Sequence, residues 1–417
     1  MIRFKKVPLS SFSRNVASLM SGNFISQLIP LLFTPVLTRM FTPDEFGTLA
    51  LYLAVVMLAS ALVTCRYELA IFLPKRLGQA RLLAEISILL SFTLSCLLFL
   101  IIYLMENKIV VALELSNFGY CLYLLPISIF LASFIQILTN LKVRQAEYKQ
   151  LNVARVSQTS SSSVFTVFIG LYSKFYGTLI IGSLIGQVFS AFSLLKGWQF
   201  SGRFRWLRVF ATLRKYINFP KHLLPAHIIN VIASNLPIII VTATFGAGAA
   251  GAYSIVQRVF GLPSSVLSNS FGDVFRQNAA EIYKKTGECN ELFVATLKKL
   301  IYIAIIPFSV FIFVAPNLFS LILGQEWIVA GYYAQILTPM FFIRFITMPL
   351  SSVLIITNNT NIDIYWQSSL LICGALSYFF SSSIELMLTY LSVSFSLCYL
   401  ASLYINYRLS QKKGVSL

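Results

Sequence analysis

Residues 21–52 are SGNFISQLIPLLFTPVLTRMFTPDEFGTLALY, and this stretch decides the fold class. Its apolar character extends from about residue 15 to residue 38 without a charged side chain, which is long enough to cross the apolar core of a bilayer. A secretory signal has a shorter apolar region followed by a small-residue cleavage site. Asn23, Gln27 and Pro30 interrupt the apolar stretch and no such site follows. We therefore predict an uncleaved first membrane helix.

Apolar blocks of similar length follow along the rest of the 417-residue chain. Hydrophobic residues make up 57% of the sequence and charged residues 11%, whereas soluble domains carry about a quarter charged residues. The pattern predicts an all-α membrane protein with about 12 transmembrane helices. We expect these helices at residues 15–38, 46–73, 83–105, 120–141, 156–174, 177–195, 222–244, 246–271, 299–323, 331–357, 363–381 and 384–406.

The positions of the basic residues predict the orientation of the helices. The net charge is +18, and 26 of the 32 Lys and Arg residues fall in segments that lie on one side of the predicted helices. The opposite side carries only Arg39, Lys108 and Lys174. Because basic residues accumulate in cytoplasmic loops, this asymmetry places both termini in the cytoplasm. It also explains the basic excess without a nucleic-acid partner.

The most basic connection, residues 196–221, lies in the middle of the chain and suggests two related halves. Asn23, Gln27 and Pro30 have the same spacing as Asn230, Ser234 and Pro237, and Gly47 precedes Gly251 by a similar offset. Six helices in each half would make the repeats parallel. We expect an N-terminal six-helix bundle at residues 1–200 and a C-terminal six-helix bundle at residues 201–417.

Three arginines, Arg66, Arg258 and Arg344, fall inside predicted helices. Each costs about 2.5–3.5 kcal/mol at the centre of a membrane helix, so a function is expected for them. Glu68 is the clear acidic neighbour, but a residue two positions away on a helix faces another direction, and we expect no simple pair with Arg66. A positive interior would suit a diphosphate, which guanidinium groups bind in bidentate fashion. The alternative is that each arginine bonds helix-end carbonyls or reaches an interface.

Polar side chains in the same helices complete the candidate site. Asn23 and Gln27 share one face of the first helix with Pro30, and they would either line a cavity or bond neighbouring helices. We expect the cavity to be lined by two further residues, Asn235 and Gln257. Asp273 is, with Glu68, a candidate for ion pairing or coupling.

The sequence lacks the motifs of several kinds of catalytic and metal-binding site. The six cysteines show no CxxC spacing, no GxxxxGK[ST] motif is present, and the serine runs have no partnered His or Asp. We therefore predict no enzyme activity, no cofactor and no metal site.

Four segments resemble Wzx-type O-antigen and polysaccharide flippases of the MATE-like MOP exporter superfamily. They are residues 21–52, CRYELAIFLPK at 65–75, GAYSIVQRVFGLPSSVLSNSFGDVF at 251–275 and GYYAQILTPMFFIRFITMPLSSVL at 331–354. The resemblance implies two bundles around a central cavity in the bacterial inner membrane. It also implies alternating access that delivers an undecaprenyl-diphosphate-linked oligosaccharide to the periplasmic leaflet.

The same resemblance assigns partners and residues. The partners would be the lipid-linked oligosaccharide, membrane lipids and other polysaccharide-assembly proteins. Arg66 and Arg258 match the cationic cavity residues of such flippases, with Arg344 next. Drug-exporting relatives carry an acidic residue deep in the first bundle, and here only Glu68 could serve, so coupling to a cation stays open.

Three alternatives remain at this point. A cation-coupled multidrug exporter of the same superfamily would need buried carboxylates, and the predicted cavity is positive. A membrane glycosyltransferase or polymerase would need larger external loops. A lipid II flippase would normally have about fourteen helices.

Overall fold

The structure is a computed structural model that describes residues 9–112, 121–173, 175, 177–198, 206–357, 359 and 361–411. Within these ranges the chain contains no β-strand and forms thirteen α-helices. They are α1 (Leu9–Met40), α2 (Pro43–Thr64), α3 (Leu77–Ala112), α4 (Cys121–Arg144), α5 (Tyr148–Tyr172), α6 (Thr178–Leu195), α7 (Trp206–Lys215), α8 (Leu224–Thr286), α9 (Asn290–Leu323), α10 (Ile328–Leu350), α11 (Val353–Ile356), α12 (Asn361–Phe379) and α13 (Ile384–Ser410). Two 3₁₀ turns, Tyr67–Phe72 and Gln325–Trp327, and a π-helical turn, Phe219–Leu223, connect them.

Helices long and apolar enough to cross a membrane dominate the chain. Eight such segments occur among the described residues, in α2, α3, α4, α6, the first part of α8, α9, α10 and α13. The other four predicted spans coincide with α1, α5, the second part of α8 and α12, which carry more polar residues. The prediction of an all-α membrane protein is confirmed.

Some helix boundaries differ from the prediction because hydropathy detects apolar stretches and not the ends of helices. α2 ends at Thr64, not at residue 73, and α5 begins at Tyr148 instead of residue 156. α8 runs through both predicted segments around residue 245, with a non-helical Gly246 at φ 87°. The short α7 lies in the basic connection 196–221 and was not among the predicted helices.

The contacts divide the chain into two compact units, and the first, unit 1, comprises residues 1–40 and 51–232. In unit 1, α5 and α6 approach closely because Gly182 and Gly186 have no side chain. A Cβ atom on Gly182 would lie 1.8 Å from the hydroxyl oxygen of Thr166. The 3₁₀ turn Tyr67–Phe72 contributes Ala70 and Ile71 to a buried cluster with α3 and α4. The expected division of the chain at residue 200 stays a prediction.

The second unit, unit 2, comprises residues 41–50 and 233–417. The first turns of α2 cross α8 inside this unit with almost no space between the backbones. A Cβ atom on Gly47 would lie 1.7 Å from the carbonyl oxygen of Ala247, and one on Gly251 would lie 1.8 Å from that of Pro43. The rings of Phe46 and Trp327 meet edge to face beside the crossing, with centroids 5.1 Å apart. Any larger side chain at either glycine would force the helices apart.

Candidate functional site

The backbone between α2 and α3 is strained at the point where the first candidate arginine lies. Cys65 and Arg66 adopt left-handed conformations with φ of 48° and 60°. Such a conformation costs about 1–3 kcal/mol for a residue other than glycine and persists only where the surroundings impose it. The break ends α2 and starts the 3₁₀ turn Tyr67–Phe72, whose Tyr67, Ala70 and Ile71 are buried. Burial of this turn offsets the strain.

This break brings Arg66 and Glu68 together, contrary to the expectation that residues two apart would not pair. The Nη1 atom of Arg66 lies 3.0 Å from the Oε1 atom of Glu68, and the Glu68 side chain is fully buried. The expectation assumed a continuous helix through residue 73. Because Arg66 is left-handed, its side chain turns back over the following turn.

Side chains of α4 surround this ion pair. Gln136 donates a hydrogen bond to the Glu68 carboxylate and Asn140 donates to the Glu68 carbonyl oxygen, both at 3.4 Å. His227 of α8 is close enough to Arg66 to interact electrostatically. We call Arg66, Glu68, Gln136, Asn140 and His227 the unit 1 polar cluster.

The unit 1 polar cluster leaves two polar atoms unsatisfied. The Oε2 atom of Glu68 and the Nε atom of Arg66 are buried and have no hydrogen-bond partner among the described residues. An unsatisfied buried polar atom costs about 1–3 kcal/mol, and more when it is charged. The cluster therefore has unused hydrogen-bonding capacity at both the carboxylate and the guanidinium group.

Unit 2 places its arginine in a different setting. Arg344, on α10, is partly buried and interacts electrostatically with the phenol groups of Tyr253 and Tyr399. Among the described residues it forms no salt bridge with a carboxylate. The Nε2 atom of Gln257 donates a hydrogen bond to the Tyr253 hydroxyl group at 2.5 Å. The described side chains that interact with Arg344 are therefore neutral.

A tryptophan extends this group. The Trp366 and Tyr399 rings have centroids 5.6 Å apart, and the Trp366 Nε1 atom is buried without a hydrogen-bond partner in the described chain. A buried indole N–H normally finds an acceptor. We call Arg344, Tyr253, Gln257, Tyr399 and Trp366 the unit 2 aromatic cluster. It offers a cation, hydroxyl groups and a free indole donor.

The remaining candidates are distributed over both units. Asn23, on α1, accepts a hydrogen bond from the Arg155 guanidinium group of α5 within unit 1. Gln27, Asn235 and Arg258 are partly buried, and each takes part in a hydrogen-bonding or electrostatic interaction. The side chain of Asp273 lies outside the described residues.

Several residues of these clusters, and the partner of Asn23, were not predicted from the sequence. Arg155, which bonds Asn23, lies two turns inside α5. Gln136 and Asn140 are spaced by four residues on an apolar helix, and this spacing could have revealed a shared polar face. Trp366 and Tyr399 carry no local signal, because aromatic residues are common along the whole chain. No group of three or more described His, Cys, Asp and Glu side chains is arranged to bind a metal ion.

Solved structures share this fold over nearly the whole chain. The lipid II flippase MurJ, in an inward closed conformation, matches with a TM-score of 0.70 and 13% identity over 94% of this chain and 89% of that one. A MOP superfamily transporter from Pyrococcus furiosus matches with a TM-score of 0.62 and 10% identity over 96% of both chains. The molecule therefore shares the all-α membrane fold of these two proteins.

The family follows from the sequence itself. The profile of the family described as polysaccharide biosynthesis protein matches residues 36–331. The chain belongs to this family. The succinoglycan biosynthesis transport protein ExoT of Rhizobium meliloti (strain 1021) is 24% identical over 306 residues, which cover 70% of this chain and 58% of ExoT. The match thus spans less than two thirds of that relative.

Proposed function

We propose that the protein is a flippase for an undecaprenyl-diphosphate-linked oligosaccharide repeat unit of an O-antigen or related surface polysaccharide. The repeat unit moves from the cytoplasmic to the periplasmic leaflet of the inner membrane by alternating access, and both termini are cytoplasmic. The chain's family, the name of its relative ExoT and the fold shared with the lipid II flippase support this proposal.

The observation that carries the proposal is the unit 2 aromatic cluster. Arg344 has no carboxylate partner among the described residues, so its charge is available to a diphosphate. The hydroxyl groups of Tyr253 and Tyr399 and the indole N–H of Trp366 suit the hydroxyl-rich surface of a sugar. Arg258 contributes a second cation on α8, and Gln257 and Asn235 contribute amide groups within unit 2. Asn23 and Gln27 are proposed substrate-binding residues of unit 1.

The unit 1 polar cluster has a coupling role in this proposal. Arg66 is held in an ion pair with Glu68. Opening of this pair would release the guanidinium group to an anionic substrate, and its closure would restore the pair. Asp273 is proposed as a second ion-pairing residue.

Complementation of a strain that lacks its own flippase and makes this protein's repeat unit tests the proposal. Surface polysaccharide is scored for the wild type, Arg344→Ala, Arg258→Ala and Arg66→Ala, with Arg408→Ala as a control on an exposed arginine. We expect rescue by the wild type and the control, and loss in at least one of the other variants. Rescue by every variant would reject the binding site, and no rescue by the wild type would reject flipping.

One observation favours a second candidate, a cation-coupled multidrug exporter. Glu68 is a fully buried carboxylate with an unused oxygen atom, as a site for a cationic drug or coupling ion requires. Drug resistance and drug efflux in an exporter-deficient strain distinguish the two functions. Efflux that depends on Glu68, without polysaccharide rescue, would favour the exporter.

A further inference from the structure

The helix α7 carries apolar residues on two sides, of which one is buried against the protein and the other is exposed. One side faces the protein, where Val209 is 4% exposed and the Tyr67 hydroxyl group donates a hydrogen bond to the Leu213 carbonyl oxygen at 3.1 Å. On the other side, Phe210 is 66% exposed, and Ile217, two residues beyond the end of the helix, is 50% exposed. A helix with an exposed apolar side and basic residues suits the boundary between lipid headgroups and acyl chains.

A cavity of about 690 Å³ lies between α7 and the start of α3, entirely within unit 1. Its volume is typical of pockets that hold a small organic group. Arg76, Gln79 and Lys215 supply positive charge and hydrogen-bond donors, and none of the described lining residues is acidic. The remaining lining residues, which are largely apolar, are Pro74, Gly78, Leu82, Leu83, Ala211, Thr212 and Tyr216.

The walls of this cavity are held by the core of unit 1. The Arg144 guanidinium group donates hydrogen bonds to the carbonyl oxygens of Ile71 and Pro74, which fixes the segment before α3. On the other wall, Tyr216 packs against the buried cluster that contains Ala70 and Ile71. The cavity is therefore bounded by anchored elements on both sides.

Exposed apolar side chains lie beside the basic groups. Leu73 is 59% exposed and Leu77 is 41% exposed in the segment that leads into α3. Phe210 on α7 and Ile217 just after this helix are also exposed apolar side chains. This combination of a basic pocket and an apolar border matches an amphiphile with an anionic headgroup. A soluble anion would gain nothing from the apolar border.

We propose that this cavity binds the phosphate headgroup of an anionic membrane lipid. Arg76 and Lys215 contact the phosphate, and the acyl chains lie against Leu73, Leu77 and Phe210. The first turn of α3 contains no acidic residue, so its dipole also favours an anion. Both walls belong to Lys- and Arg-rich segments that the charge asymmetry assigns to the cytoplasmic side, where anionic lipids attract such residues. This site is independent of the proposed transport function.

Native mass spectrometry of the purified full-length protein tests the charge requirement. Retained phosphatidylglycerol is compared with phosphatidylcholine for the wild type and for the double variant Arg76→Ala/Lys215→Ala. We expect a preference for phosphatidylglycerol that falls about 25-fold in the variant, about fivefold for each basic residue. The control Lys298→Ala/Lys299→Ala removes the same charge from exposed positions in unit 2 and should keep the preference.

Two substitutions at Gly78 test the cavity itself without changing charge. A Cβ atom at Gly78 meets no other atom within 4 Å, so Gly78→Ala should fold and bind normally. Gly78→Phe should fill the cavity and reduce phosphatidylglycerol retention as strongly as the double variant, at an unchanged unfolding temperature. A third arm replaces the lipid with inorganic phosphate, which should not protect the protein against thermal unfolding.

The proposal is overturned if the pocket variants retain phosphatidylglycerol like the wild type, or if the Lys298/Lys299 control loses it equally. Equal retention of phosphatidylcholine would show that the headgroup charge is not recognised. Protection by inorganic phosphate at the level of phosphatidylglycerol would identify a soluble anion as the ligand.

Discussion

Arg66 in unit 1 and Arg344 in unit 2 are both arginines within predicted membrane spans, but their surroundings differ. Arg66 lies at a break in the backbone and is paired with the buried carboxylate of Glu68. Arg344 lies inside the helix α10, next to the tyrosines Tyr253 and Tyr399. The first arginine is neutralised by the protein, whereas the second has neutral polar neighbours.

This difference separates two uses of a buried charge. In a buried ion pair the two charges compensate each other, and removing one partner leaves the other charge unsolvated. An arginine without a described carboxylate partner keeps its charge for a ligand. We therefore expect substitutions in the unit 1 polar cluster to affect folding first, and substitutions in the unit 2 aromatic cluster to affect transport first.

The largest effect is expected for Glu68→Ala. It leaves the Arg66 guanidinium group, whose side chain is 12% exposed, without its ion partner. Loss of one partner of a buried pair costs about 3–5 kcal/mol. Thermal unfolding in detergent measures the change, with Glu288→Ala as a control at an exposed glutamate.

The double variant Arg66→Gln/Glu68→Gln sharpens this test. It removes both charges and should recover most of the lost stability, because no isolated charge remains. Equal destabilisation in the single and double variants would show that the charges are not coupled.

A smaller effect on stability and a large effect on transport are expected for Arg344→Ala. A hydrogen bond to a charged group contributes about 1.5–3 kcal/mol, so transport should fall roughly ten- to hundredfold. Transport is measured as surface polysaccharide at matched membrane levels. A fall in unfolding temperature comparable to that of Glu68→Ala would contradict the distinction between the two arginines.

A several-fold effect on transport is expected for Trp366→Phe. The substitution keeps an aromatic ring and removes a buried indole N–H that has no described partner. Stability should be unchanged or slightly higher, since an unsatisfied buried donor is costly. Transport assays measure the expected fall in transport, and thermal unfolding measures the expected stability. Unchanged transport would show that the indole group is not part of the proposed site.

The smallest effect is expected for Arg155→Ala. The Arg155 guanidinium group donates to Asn23 from a partly exposed position, and its loss should cost about 1 kcal/mol. Asn23→Ala should cost a similar amount, and the double variant should cost little more than either single one. Fully additive losses would show that the two side chains do not act as a pair.

The predicted helices and the candidate arginines show which features of this molecule can be predicted from its sequence. The length and polarity of each helix are local properties, so all twelve predicted spans coincide with helices. The predicted ends of the helices were less accurate, because polar residues such as 148–155 extend a helix beyond its apolar stretch. The arginines were identified as candidates because a charge in an apolar block is conspicuous by itself.

The sequence by itself therefore determined the membrane class, the helical architecture and the identity of the buried charges. Only the tertiary structure decided which charge is neutralised. The Arg66–Glu68 pair depends on left-handed residues that the burial of the following turn holds in place. The tyrosine neighbours of Arg344 come from α8 and α13, which are distant from α10 in sequence. A partner brought together by packing leaves no local pattern, so only the fold can reveal it.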